Sequence, residues 1–221
     1  DTKKADGIYL HLCTVVNGVF SVGDTVTAEI EAMRRAAIKR NHSAAHLLQA
    51  ALRAVLGEHV EQAGSYVSNK ICRFDFSHFQ ALTGEEIEKV EGLVNAHILL
   101  ASPIVTKETD IETAKKEGAM ALFGEKYGNM VRVVKMGDFS IELCGGTHID
   151  NIAKIGMFKI VSESSVAAGV RRIEAVTGEG VLNYMREQAN LIHSVADALK
   201  TTPADMQRRA VQLQAEMKEQ Q

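Results

Sequence analysis

The chain has 221 residues, of which 46% are hydrophobic, and a formal net charge of −3. This suits a soluble globular protein with one large core, or one domain plus an appended helical element, and it excludes a surface coated with basic groups, so that any nucleic-acid contact is local or shared with further parts of a longer chain. No run approaches the ~18 consecutive apolar residues of a membrane span, and the charged start from Asp1 to Asp6 has no signal-peptide core, so no membrane partner is expected and a cytoplasmic setting is.

Along the chain, β-rich runs at Ile8 to Val16 and Thr25 to Ile30 alternate with turn signals at Asn17-Gly18 and Gly23-Asp24, which suggests a small antiparallel piece. Because Asp1 is not a methionine and a strand follows almost at once, the chain reads as a fragment or a processed piece. From about Arg35 to Leu56 the pattern is helical: Leu48, Ala51, Leu52 and Val55 form an apolar stripe, and Gly57 supplies a stop. On the same helix His42, His46, Gln49 and Arg53 form a separate polar stripe. Cys72, Phe74 and Phe76 alternate with Arg73 and Asp75 as in a half-buried strand, and Thr83-x-x-Glu86 has the form of a capping box opening a helix to about Leu100. A shorter helix is predicted over Ile111 to Lys116, then strands at Val131 to Lys135, Phe139 to Leu143, Met157 to Ser162 and Val170 to Val176. From Gly178 onward the pattern is almost wholly helical. Val181, Leu182, Met185, Ala189, Ile192, Ala196 and Leu199 share one stripe before Thr202-Pro203 begins a second helix, a pair that suits a coiled-coil-like hairpin. The reading is one α+β domain at 33–178, with a strand segment (1–32) before it and a helical tail (179–221) after it.

The chemistry lies in two short motifs. His42-x-x-x-His46 places two imidazoles one helical turn apart on one face, and Cys144-Gly-Gly-Thr-His148 places a thiolate and a third imidazole around a turn whose glycines are expected to let the backbone bend sharply. With eight histidines and three cysteines, roughly 0.3 and roughly 0.1 chance occurrences of the two spacings are expected, so their joint presence is improbable by accident. Three nitrogens and one sulfur suit Zn2+. His11, His59, His78, His97 and His193 have no metal-spaced partner and read as core or solvated side chains. Cys13 and Cys72 cannot complete a disulfide framework with Cys144, which fits a reducing compartment, and both read as buried thiols. Spacing alone leaves the ion's role open between structural and hydrolytic, because four protein ligands close a tetrahedral site whereas catalytic zinc keeps a position for water.

The segments Arg40-Asn41-His42-Ser43-Ala44-Ala45-His46-Leu47-Leu48, Arg73-Phe74-Asp75-Phe76, Cys144-Gly-Gly-Thr-His148 and Ala168-Gly169-Val170-Arg171-Arg172-Ile173-Glu174-Ala175-Val176-Thr177-Gly178, in this order, resemble the alanyl-tRNA synthetase family from about residue 8 to the C-terminus. The resemblance implies the end of a small β-barrel at 1–32, an editing (deacylase) domain at 33–178, and helices at 179–221 that lead to an oligomerisation region and could pair with another copy. The fold it implies is α+β, an antiparallel sheet packed with helices carrying a zinc site, preceded by a partial barrel and followed by a helical hairpin tail. The implied activity is hydrolysis of tRNA(Ala) mischarged with serine or glycine, with the remaining synthetase domains as partners in a parent chain. It places zinc on His42, His46, Cys144 and His148, and Gln62 beside zinc and substrate, which makes Gln62 and Cys144 the candidate catalytic residues. Arg171 and Arg172 are the candidate tRNA contacts, whereas Arg34-Arg35 and Lys39-Arg40 read as solvated faces. The sequence departs from the family at Ala45, where many members carry threonine, and at Ile152-Ala153-Lys154, where a polar, glycine-containing turn is more usual. Competing readings are a free-standing trans-editing deacylase, against which the cut barrel and long tail argue, a threonyl-type editing module, against which Gly145-Gly146-Thr147 argues, and a zinc-stabilised RNA-binding module without catalysis. A metal-free interaction domain ranks last.

Overall fold

The computed structural model describes residues 2–120 and 128–219. The expected ranges 1–32, 33–178 and 179–221 also take in residues 1, 121–127 and 220–221, which lie outside the described residues. The chain divides into two compact units, Asp1–Glu31 and Ala32–Gln221. No helix among the described residues is long and apolar enough to cross a membrane.

In the first unit, β1 (Thr2–Ala5) and β2 (Ile8–His11) pair antiparallel through a two-residue turn at Asp6-Gly7, both at positive φ (49° and 79°), as the right-handed twist of a tight hairpin requires. This hairpin lies earlier than the sequence reading put it. A bend forms at Gly18 and a turn at Gly23, but Thr25 to Ile30 is not a strand: among the described residues no strand pairs with it, and an unpaired β-rich segment gains nothing from its propensity. Cys13 is exposed on this irregular stretch, which corrects its reading as a buried thiol, whereas Cys72 is buried as expected.

The second unit is an α+β body with two antiparallel sheets. Its first helix, α1 (Ala32–Leu56), begins three residues before the expected start and ends at Gly57, whose φ of 115° releases the chain from the helix. Arg53 Nη1 ties down the exit by donating to the carbonyls of Glu58 and Val60. The larger sheet runs in the order β3 (Gln62–Val67), β4 (Cys72–Ser77), β9 (Val170–Thr177), β8 (Phe158–Ala167). Phe74, Phe76, Ile173, Ala175, Phe158 and Ile160 are buried against Leu47, Leu48 and Leu52 of α1 and against Val90, Val94 and Ile98 of α2 (Gly84–Leu99). The expected capping box opens α2: Thr83 Oγ1 accepts from the Glu86 backbone N–H, and the Glu86 carboxylate accepts from that of Thr83. Edge strand β8 is covered by polar groups of α2, because Asn95 exchanges two hydrogen bonds with the Phe158 backbone and Glu91 accepts from the Ile160 N–H.

The smaller sheet runs β5 (Ile104–Asp110), β6 (Met130–Met136), β7 (Ser140–Leu143), with α3 (Ile111–Lys116) contributing Ala114 to a second core with Val131, Val133 and Leu143. Strands β3 and β5 are absent from the sequence reading. β3 is poor in β-formers and is held by its pairing to β4; β5 is largely exposed and carries Lys107, Glu108 and Asp110. In the tail, α4 (Glu179–Ala198) and α5 (Met206–Glu219) flank a short turn at Pro203–Asp205. α4 buries only Val181 and Ala196 and α5 buries nothing, so Leu182, Met185 and Ile192 of the expected stripe stay exposed.

On the sheet face away from the helices, Asp75 accepts two hydrogen bonds from Arg172 at 2.7 Å, and these hold its carboxyl below the usual carboxylate range despite burial. A depressed folded-state value means that the pair stabilises the fold above the unfolded carboxylate pKa of about 4 and that this contribution is lost as pH falls through the lowered value. Arg172→Gln should therefore be less stable than wild type at neutral pH, with the difference shrinking in urea titrations below about pH 4; a pH-independent difference would contradict the assignment.

Candidate metal centre and adjoining pocket

The two sequence motifs converge. α1 presents His42 and His46 on one face, and the turn after β7 brings Cys144 and His148 against them, so that four donor atoms lie within 4.8 Å of one another. His42 Nε2 is 3.6 Å and His148 Nε2 3.4 Å from Cys144 Sγ. The outer nitrogens of two rings have partners of their own. His46 Nδ1 lies 2.7 Å from Glu142 Oε2, a charge contact rather than an in-line hydrogen bond, and His148 Nδ1 lies 3.2 Å from Ser43 Oγ. Outer partners of this kind fix a ring's orientation and leave the inner nitrogen facing the cluster, as metal-binding histidines require. Three imidazoles and a thiolate so arranged can hold one metal ion.

The turn is built from β6. Arg132 Nη1 donates to the carbonyls of Cys144 (2.8 Å) and Gly146 (2.6 Å), and its own carbonyl accepts from the Cys144 N–H. The expected bend is present at Gly146, although neither glycine has a positive φ. The constraint at Gly146 is space, since a Cβ there would lie 2.0 Å from Cε1 of His42, whereas one at Gly145 would meet nothing. Burial opposes the charged form of Cys144, but hydrogen bonds from His148, His42 and His46 outweigh it and bring the thiol down to about 3. Burial likewise opposes protonation of His46, and there the charges of Glu142 and Cys144 outweigh it and raise the group to about 10. The cluster thus favours the Cys144 thiolate, while His46 must give up its proton to serve as a ligand.

Beside the cluster lies a cavity of about 140 Å³ lined by His42, His46, Cys144, Ala45, Gln49 and Glu142, with Gln62 and Ser65 on the β3 side. Gln62 and Ser65, three apart, would face opposite sides of a regular strand, but the β-bulge between Gln62 and Gly64 turns both toward the cavity. His148 is not in the cavity wall. Thus the cluster holds His42, His46, Cys144 and His148, with Gln62 at its pocket, while Arg171 and Arg172 lie on β9 with their guanidinium groups engaged. Arg171 makes a bidentate pair with Glu163 at 2.5 and 2.6 Å, and Arg172 one with Asp75. Sequence reasoning missed Ser43, Ser65, Arg132 and Glu142. Glu142 had a signal, since two residues before Cys144 on a strand is the same face.

Residues 131–174 match the family described as "Threonyl and Alanyl tRNA synthetase second additional domain". Those residues run from β6 through the metal-site turn to β9. The match covers 44 of the chain's 221 residues. Over 99% of its length it is 57% identical to alanine–tRNA ligase 1 of Lachnoclostridium phytofermentans, over 94% it is 54% identical to the alanine–tRNA ligase of Pelotomaculum thermopropionicum, and over 99% it is 52% identical to that of Bacillus velezensis. It spans about a quarter of the length of each of these relatives.

Gly146→Ala should abolish stoichiometric metal binding, because the added methyl group and the His42 ring cannot share the space, while Gly145→Ala should bind as wild type does. Metal content of the purified variants checks this; a fully loaded Gly146→Ala chain would contradict the geometry.

Proposed function

We propose that the chain is the editing domain of an alanine–tRNA ligase, hydrolysing tRNA(Ala) mischarged with serine or glycine at a zinc ion held by His42, His46, Cys144 and His148. The observation that carries this reading is the four-donor cluster opening onto a small polar cavity, in a chain related along nearly its whole length to alanine–tRNA ligases. Zinc suits the donors: tetrahedral bonds of about 2.0–2.3 Å separate ligand atoms by roughly 3.3–3.8 Å, a range that contains the 3.4 and 3.6 Å separations at Cys144 Sγ. Bound there, zinc would supply a Lewis acid for the ester carbonyl, and the ribose oxygen that departs from the acyl carbon is a good enough leaving group that no serine nucleophile is needed.

The protein's own groups then have distinct tasks. Cys144 and His42, the half-buried members of the cluster, face the cavity where the ester would lie, whereas His148 sits behind them. Gln62, which also lines the cavity, would bond the acyl group or the attacking water. Glu142 holds His46, and its other oxygen accepts from Ser140 Oγ at 3.0 Å. On this reading residues 33–178 are the deacylase domain, 1–32 the end of a β-barrel and 179–221 a helical tail able to pair with another copy through its exposed apolar stripe. The remaining synthetase domains and the mischarged tRNA are the partners, in the cytoplasm, and Arg171 and Arg172 on β9 meet tRNA phosphates.

Four protein donors also suit a structural ion, so a zinc-stabilised RNA-binding module without catalysis is the second reading. One assay separates them: release of serine, glycine and alanine from the correspondingly charged tRNA(Ala), with zinc measured on the same sample. The editing reading expects serine and glycine to be released and alanine spared, with about one zinc per chain. Cys144→Ala should stay folded while losing at least about 100-fold in rate, and the Arg171→Ala, Arg172→Ala double variant should lose about tenfold with zinc retained. A folded and fully active Cys144→Ala would overturn the catalytic assignment, and unchanged rates in the double variant would withdraw the arginines' role.

A further inference from the structure

The cavity beside the metal cluster contains a buried amide with no strong partner. Gln49 follows His42 by seven residues, Ala45 by four and His46 by three, so it continues the cavity-facing stripe of α1 toward the far end of the pocket. Its side chain is 3% exposed. Its NH2 group donates to the thioether sulfur of Met120 at 2.8 Å, and a thioether is a weak acceptor. Among the described residues its carbonyl oxygen accepts no hydrogen bond, and it is not one of the fully enclosed unpartnered atoms. Met120 is itself fixed, because its N–H donates to the Ile141 carbonyl and its carbonyl accepts from the Leu143 N–H along the free edge of β7. Among the described residues, the amide buried beside the cluster thus has one weak partner. A buried amide is ordinarily satisfied by stronger groups, so an amide left in this condition on a cavity wall is best satisfied by what enters the cavity.

We propose that Gln49 is the specificity-determining residue that recognises the hydroxyl of a seryl group in this cavity. The inference rests on the editing reading and names the wall of the pocket that reads the acyl side chain. Among the cavity's other polar groups, Glu142 is committed to His46 and Ser140. Ser65 is exposed and Gln62 only half-buried, so water satisfies both whatever occupies the cavity. Ala45 presents only a methyl group on the intervening turn of α1. Gln49 is the most buried of the cavity's polar residues and its one described partner is a weak acceptor, so the occupant bears most on it. A hydroxyl can donate to its carbonyl oxygen or replace the thioether as acceptor, whereas the methyl group of alanine does neither and leaves the amide facing apolar surface. Glycine brings no group to that wall and leaves the cavity wide enough for water to reach the amide.

The test measures deacylation of seryl-, glycyl- and alanyl-tRNA(Ala) by wild type, Gln49→Leu and Gln49→Met, with zinc content and thermal melting recorded for each. Gln49→Leu should lose about 10- to 100-fold in kcat/KM on the seryl ester, with the glycyl ester within about threefold of wild type and zinc retained. Gln49→Met, unbranched and closest in shape, should show the same selective loss and serves if the leucine variant fails to fold. Equal losses on seryl and glycyl esters, or no loss on either, in a folded and zinc-loaded variant would overturn the proposal. A wild-type chain that releases neither amino acid would instead overturn the editing reading, and this proposal with it.

Discussion

Everything proposed for this protein depends on a long-range contact between the middle of α1 and the turn that follows β7. The contact joins residues about a hundred positions apart, and Ser43 sits at its centre: its hydroxyl lies 3.2 Å from His148 Nδ1 and accepts the Ile149 N–H at 3.3 Å. The turn is gripped from the other side by Arg132, and the two surfaces approach so closely that position 146 has no room for a side chain. Such an approach is tolerable because the polar groups within it are matched. His46 faces Glu142, His148 faces Ser43, and the thiolate of Cys144 faces imidazoles.

The two cores serve this junction. Phe74, Phe76 and Ile173 on the larger sheet seat α1 along one side, and Asn41, bonded to the Ser68 carbonyl at 2.8 Å and accepting from Thr177 Oγ1 at 2.6 Å, fixes its position over the β3–β4 turn and the end of β9. The smaller sheet carries the turn and Glu142 to the same place from the opposite direction. Between them remains a cavity of about 140 Å³, of a size for a small acyl group, walled by cluster ligands and by Gln62 and Ser65. The bulge in β3 is a local departure from strand geometry with a consequence at the site, because it is what turns both of those side chains inward.

The cluster was legible in the sequence because its ligands carry spacing. A four-residue interval on a helix and a Cys-x3-His turn each announce a shared direction, and α1, β4, α2, α3, β6, β7 and β9 were legible through the same periodicities. What the sequence hid is whatever depends on a neighbour. β3 is a strand because β4 and α1 make it one; its Gln-Ala-Gly-Ser composition does not ask for it. Thr25 to Ile30 has strand composition and no partner. Gly146 sits at the expected bend, but the gap it leaves for the His42 ring has no signature in the spacing. Nothing in the sequence pairs Arg171 and Arg172 with their acids, yet each is held in a bidentate pair, by Glu163 on the adjacent strand and by Asp75 opposite on β4.

The central claim is that one zinc ion is bound by three imidazole nitrogens and the Cys144 sulfur. X-ray absorption at the zinc edge on the stoichiometrically loaded chain tests it most directly. The account predicts a first shell with one sulfur at about 2.3 Å and three nitrogens at about 2.0 Å, the sulfur lost in Cys144→Ala. A shell of light atoms alone, or a sulfur signal that persists in that variant, would contradict it.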